Sequence, residues 1–382
     1  MKAWPKVALG ELLRRSDETT VIDPATEYHE VTIKLWGKGV ISRGKVSGSD
    51  VVSARRVVRA NQLIMSKIDA RNGAIGLVPP ELDGAIVSND FPSFEFRDPD
   101  QCEAAFMGWL VRSSPLVELC KAASEGTTNR VRIKEDRFLD QQIALPSVAE
   151  QKTLVARLDA LAEKTRQLEA HLDAVERDAE HLLALRFRDA IAGAPLRPMV
   201  EVAPLVRREV TIAPEKNYTE LGVRSFYKGA FHRRTVPGTD FSWQDLYRVH
   251  AGDLIFSNIM AWEQAIAIAQ TQDDGCVGNH RMLTCEANPE IAVPGFLWYY
   301  FTTEEGFAKI YAASPGTAAR NRTMTAPALM AIEVPTPALT VQQTFDRLQS
   351  EIAALKAKHT AIREANTALL PATLERVFTG EH

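Results

Sequence analysis

Two stretches of the chain carry apolar residues at helical spacing. After Leu145-Pro146-Ser147 they recur at Leu154, Leu158, Leu161, Leu168, Leu172, Val175, Leu182 and Leu185. The steps are mostly three, four or seven, as an amphipathic helix with a coiled-coil seam requires. Ser147 is a suitable N-cap, and Glu150 three residues on completes a capping box. Gly193 and Pro195 supply the stop. A helix from about 148 to 191 would run roughly 65 Å. The second stripe follows Val334-Pro335-Thr336-Pro337 and carries Phe345, Leu348, Ile352, Leu355, Ile362, Leu369 and Leu374. A single apolar stripe on a long helix needs a partner. Either the two helices pair antiparallel, or each packs on its own globular neighbour.

Elsewhere the pattern changes. β-branched pairs (Val51-Val52, Val57-Val58) and short apolar runs alternate with Gly, Asn, Asp and Pro clusters, which reads as strands. Segments 104–111 and 296–301 are apolar enough for short buried helices. The fold class predicted is α+β.

The chain is also written twice, with a period of about 190 residues, too long for a solenoid unit. Leu182-Leu183-Ala184-Leu185-Arg186-Phe187 through Gly193 aligns without a gap on Leu369-Leu370-Pro371-Ala372-Thr373-Leu374 through Gly380. Ala122-Ala123-Ser124-Glu125-Gly126-Thr127 matches Ala312-Ala313-Ser314-Pro315-Gly316-Thr317, and each is followed by Asn-Arg. Leu63-Ile64-Met65-Ser66-Lys67-Ile68 matches Leu254-Ile255-Phe256-Ser257-Asn258-Ile259. The matches keep their order, so a domain plus its linker is duplicated. The expected division is 1–147 and 194–338 as homologous domains, with helices at 148–193 and 339–382.

Composition changes this picture little. The 382 residues include 25% charged and 45% hydrophobic side chains, ordinary for a globular protein. No apolar run reaches the ~18 residues of a membrane span, and the N-terminus lacks a signal-peptide core. A cytoplasmic location without membrane attachment is expected. Cys102, Cys120, Cys276 and Cys285 form no C-x-x-C pair and read as small buried hydrophobes.

Charge patterning changes it more. The net charge is -4, yet positions 31–80 hold nine basic residues against Asp50 and Asp69 alone. The matching stretch, Arg224-Ser225-Phe226-Tyr227-Lys228-Gly229-Ala230-Phe231-His232-Arg233-Arg234, has four formal cations interleaved with aromatics and no acid. Lys38-Gly39 falls on Lys228-Gly229, and Arg43 on Arg233. Lys and Arg neutralise phosphates and release counterions; Arg, Lys, Asn and Gln also read base edges. Glycine beside a cation lets backbone approach a phosphate. Two corresponding basic runs in a duplicated chain point to double-stranded DNA. The candidate contacts are Lys38, Arg43, Lys45, Lys67 and Arg130 in the first copy. In the second they are Arg224, Lys228, Arg233, Arg234, Asn258 and Arg322.

Gly39-Val40-Ile41-Ser42-Arg43-Gly44-Lys45-Val46 imitates a phosphate loop, but Val46 stands where Ser or Thr should hold Mg²⁺. Cys276, His280 and Cys285 are irregularly spaced for zinc. There is no G-x-G-x-x-G, no G-x-S-x-G and no adenine-methyltransferase motif. No catalytic or metal-binding residue is expected. A recognition chain fits these features; a coiled-coil scaffold for proteins would explain the helices but not the paired basic runs.

Leu145-Pro146-Ser147-Val148-Ala149-Glu150-Gln151-Lys152, leading into a Leu-rich helix, resembles the central conserved region of type I restriction-modification specificity subunits. Leu369-Leu370-Pro371 through Phe378-Thr379-Gly380-Glu381 resembles their distal region, and Trp4-Pro5-Lys6-Val7-Ala8-Leu9-Gly10-Glu11 their opening. Ala251-Gly252-Asp253-Leu254-Ile255-Phe256-Ser257-Asn258 with Ala261-Trp262-Glu263 resembles a target-recognition-domain core motif. The second linker, Pro337-Ala338-Leu339-Thr340-Val341-Gln342-Gln343, departs by lacking Ala-Glu-Gln. The resemblance implies two target recognition domains, separated by two long helices that form an antiparallel coiled coil. Each domain would read half of a bipartite site, and the helices would fix the gap. Two methyltransferase subunits would bring S-adenosylmethionine. Restriction/translocase subunits would bring ATP and Mg. This chain would hold none of these cofactors. Another methylation-based defence complex would use a similar subunit.

Overall fold

In the computed structural model, residues 4–51, 55–126, 131–241, 245–316 and 322–380 are described. The first apolar stripe forms one helix, Val148–Ile191. Its capping box is present: Glu150 Oε2 accepts from the Ser147 N–H at 3.0 Å, and Ser147 Oγ accepts from the Glu150 N–H at 3.4 Å. Past its end Gly193 takes φ 70°, the left-handed position where only glycine is free of a Cβ clash. The second stripe forms Leu339–Thr379. That helix continues through Pro371, which has no N–H to give the ladder.

The same buried amide anchors the start of both helices. Gln151 is fully buried; its Nε2 donates to Pro146 O at 2.9 Å and Gln101 O at 3.0 Å, and its Oε1 accepts from Glu103 N at 2.8 Å. Gln342 repeats this on Pro337 O, Ile291 O and Val293 N at 2.8, 2.8 and 3.0 Å. The second linker therefore keeps the glutamine that matters, although the letters around it differ.

The chain divides into two compact units, Met1–Leu172 with His359–His382, and Asp173–Lys358. Each takes one globular part and a segment of both long helices. In the first unit, a five-stranded sheet has the order Thr19–Thr20, Arg55–Val57, Ile86–Val87, Glu27–Ile33, Val40–Ser47. Only the pairing of Glu27–Ile33 with Ile86–Val87 is parallel. A second sheet of four strands backs onto the helices Ala104–Leu110 and Ser114–Ala122 around Phe94, Phe106 and Phe138. In the second unit, Ala230–Pro237, Asn217–Val223, Val277–Gly278 and Tyr247–Arg248 form one sheet. Three strands and the helices Pro294–Thr302 and Glu304–Ala312 enclose Phe256, Phe296 and Phe301. The mixed fold class and both short buried helices agree with the sequence.

Within each unit the long-helix segments run antiparallel. In the first, Asn366 Nδ2 donates to Thr165 O at 3.1 Å and to Glu169 Oε1 at 2.7 Å, while Arg363 pairs with Glu169. In the second, Lys356 pairs with Glu180 at 2.6 Å, and the rings of Phe187 and Phe345 stand 5.1 Å apart. The same segments also pack on their globular neighbours. Trp109 Nε1 donates to Asp159 at 2.9 Å, Phe378 meets Phe106 at 5.7 Å, and Phe187 meets Phe296 at 5.0 Å. The two ways of covering the stripe coexist. Some stripe positions stay open: Leu168, Leu182, Ile362 and Leu369 are more than a third exposed.

Candidate nucleic-acid interface

The two basic stretches fold into the same hairpin. In the first unit Glu27–Ile33 pairs with Val40–Ser47, with a bulge between Glu30 and Val31. In the second unit Asn217–Val223 pairs with Ala230–Pro237, with a bulge between Glu220 and Leu221. The outer strand of each is a sheet edge. Cations there discourage strand addition by another chain, and they leave charge in solvent. The connecting loops close identically: Lys34 N donates to Gly39 O, and Arg224 N to Gly229 O, both at 2.9 Å. Gly39 and Gly229 take φ 93° and 81°. The phosphate-loop imitation therefore lies on a strand, Val40–Ser47, and leads into a single 3-10 turn, Gly48–Asp50, instead of the α-helix a phosphate loop needs.

The candidate residues separate by environment. Lys38 and Arg43 are exposed and make no ion pair with a described residue. Lys45 is exposed, with Glu27 3.6 Å away. Lys67 is half-buried and bonds Glu135 at 2.8 Å, where Arg15 joins from the other carboxylate oxygen. Arg130 lies outside the described residues. Arg224 is exposed over the Phe231 ring at 4.7 Å, and Lys228 is exposed with Phe226 beneath it at 6.0 Å. Arg233 and Arg234 fork onto the buried Glu220 at 3.2 and 2.9 Å, so one carboxylate offsets one of their two charges. Arg234 also stands over Phe241 at 5.3 Å. Arg322 lies on the Tyr311 ring at 3.9 Å and donates to Ser314 O at 3.0 Å.

Asn258 and Lys67 occupy one backbone position in the two units. Asn258 N donates to Arg281 O and Met324 N to Asn258 O; Lys67 N donates to Asp90 O and Ile133 N to Lys67 O. Lys67 has a carboxylate partner. Asn258 Oδ1 is buried with no hydrogen-bond donor among the described residues.

Folding also trims the charge counted along the sequence. Within positions 31–80, Arg55 pairs with Glu30, Arg56 with Asp17, and Arg59 with Glu18 and Asp83. Those partners include carboxylates from outside the window. Arg56 holds the Asp17 carboxyl below its usual range, and Arg59 does the same for Glu18. What remains in solvent is concentrated on the hairpin: Lys34, Lys38 and Arg43.

Two features escaped the sequence reading. One is Glu220, whose carboxylate orients both arginines. The other is Trp36, the exposed counterpart of Phe226: the second run shows its aromatics between the cations, and the alignment of Trp36-Gly37-Lys38-Gly39 on Phe226-Tyr227-Lys228-Gly229 carries the signal for the first. The four cysteines are buried and free, and burial pushes the Cys102, Cys120 and Cys285 thiols up to about 12. Among the described residues, no three His, Cys, Asp or Glu side chains gather as a metal site. No helix of the described residues is long and apolar enough to cross a membrane.

No protein-family model matches the sequence, and no curated protein does. Solved structures do. The chain is similar to an HsdS subunit from Thermoanaerobacter tengcongensis, with a TM-score of 0.67 at 20% identity, over 100% of this chain and 98% of that one. It is equally similar to a chain from a structure of complex assembly and conformational transition in the type I R-M system. There the TM-score is 0.66 at 20% identity, over 99% of this chain and 98% of that one. At such identity what is shared is the fold, and it is shared from end to end.

Proposed function

We propose that this chain is the DNA sequence-specificity subunit of a type I restriction-modification complex. The observation that carries the reading is the duplicated edge hairpin, exposing Lys38 and Arg43 in one unit and Arg224 and Lys228 in the other. It occurs in a chain whose whole length follows the HsdS fold. Each of the segments 1–147 and 194–338 serves as a target recognition domain for one half of a bipartite site. The helical segments 148–193 and 339–382 form the coiled-coil ruler that sets the gap. Phosphate contacts supply affinity and register; contacts to base edges supply sequence.

The chain itself performs no chemistry on this reading. Two methyltransferase subunits dock on it with S-adenosylmethionine and modify adenine. Restriction subunits add ATP- and Mg-dependent translocation and cleavage. The protein works in the cytoplasm as part of phage defence.

The direct test is a mobility assay of the full chain, with and without co-purifying subunits, on duplex DNA at rising salt. The proposal expects log affinity to fall linearly with log salt. Absence of binding at low salt in both preparations, or binding indifferent to salt, would refute it in favour of a protein scaffold.

A further inference from the structure

Each hairpin loop carries an aromatic side chain that the fold does not use. Trp36 is 68% exposed and Phe226 is 62% exposed. Both backbones sit at φ 60°, where a Cβ crowds the following carbonyl oxygen and where glycine is the ordinary occupant. Such strain persists only where the surroundings impose it. Here they do. Trp36 N and Gly37 N donate to Asn72 O and Gly73 O at 2.9 Å each. Phe226 N and Tyr227 N donate to Glu263 O and Gln264 O at 3.0 Å each. A Cβ on Gly73 would already meet the Trp36 backbone at 3.0 Å.

The neighbouring residue shows what a structural aromatic looks like at this place. Tyr227 turns inward, donates its hydroxyl to Phe301 O at 2.7 Å, and meets Trp298 edge-on at 6.2 Å. Phe226, one position earlier, is left in solvent with Lys228 over its ring. Trp36 stands between the exposed Lys34 and Lys38. A rigidly held aromatic face flanked by cations suits a nucleobase at an opened step of the duplex, whose freed π-face meets the ring while the cations take the phosphates.

We propose that Trp36 and Phe226 are base-stacking wedges, each seated against a base that it unstacks from the duplex in the half-site read by its own unit. The assignment rests on the reading of the chain as a DNA-specificity subunit. Indole and phenyl differ in area, so the two halves of the site differ in what they accept at that base.

The position allows an unusual test, because glycine is the residue its backbone prefers. Trp36→Gly and Phe226→Gly should melt no lower than the wild type. The full chain, with any subunits that co-purify, is used to select from a duplex library with a randomised segment. Wild type should enrich a split motif. Each glycine variant should bind about tenfold more weakly and lose preference in one half only, a different half for each. Trp36→Phe should restore most of the affinity. Glycine variants that enrich the wild-type motif at wild-type affinity would overturn the proposal, as would a lowered melting temperature. A wild-type chain that enriches no motif would instead overturn the underlying reading, and this assignment with it.

Discussion

Lys38 and Lys67 look alike in the sequence, both cations in a run that recurs in the second copy. Folding separates them. Lys38 stands in solvent on the hairpin loop, while Lys67 bonds Glu135 at 2.8 Å. If Lys38 meets a phosphate, Lys38→Ala should lower the slope of log affinity against log salt by about 0.9, and Lys228→Ala should do the same. Lys67→Ala should leave that slope unchanged and lower the melting temperature instead, because Glu135 loses one of its two partners. Salt titration of the three variants decides between these roles. Asp346 offers a test of a different kind. Burial raises its carboxyl above the ordinary 3.8, and its Oδ1 lies where a Cβ on Gly295 would be, 1.7 Å away. The folded state therefore disfavours the charged form. Its contribution to stability is greatest below the unfolded value and declines as pH rises through the folded one. Asp346→Asn should raise the melting temperature at neutral pH, and the gain should vanish in acid.

At the scale of elements, the long helices were legible from periodicity, a capping box and a Gly-Pro stop, because those signals are local. Their second contacts were not. Gln342 was hidden by an altered neighbourhood, although it repeats every hydrogen bond of Gln151. Removing either amide strands one N–H and two carbonyls where the helix joins its globular part. Gln151→Ala and Gln342→Ala should each cost about 2–3 kcal/mol in chemical denaturation. Phe187 packs against Phe296, Tyr299 and Phe345 at about 5 Å and is the hub of its helix segment. Phe187→Ala should cost about 3–5 kcal/mol in the same measurement. The basic hairpins were half legible. Correspondence between copies located Lys38 and Lys228, but nothing local announced that Asp17, Glu18 and Glu135 would return to neutralise Arg56, Arg59 and Lys67. Ion pairing across the sequence is a product of topology, which charge counting along a window does not see.

At the scale of the whole molecule, the proposed split site rests on the duplication of the chain. On the proposed reading, the two homologous hairpins carry out two similar acts of recognition, and the long helices are the ruler that sets the gap in the DNA site. Glu169 of the first helix faces Arg363 and Asn366 of the second, so a change in length must be made in both. Inserting four residues near Leu168, matched by four near Arg363, should lengthen the gap and leave both half-site sequences intact. A gap that stayed fixed would remove the ruler from the account. The central claim, that this chain chooses which DNA is modified, is tested most directly by mapping methylated adenines across the genome with and without its gene. The account predicts that deletion erases modification at one asymmetric motif, split by a gap of constant length, and alters no other. An unchanged methylation map, or loss of a single unbroken motif, would contradict it.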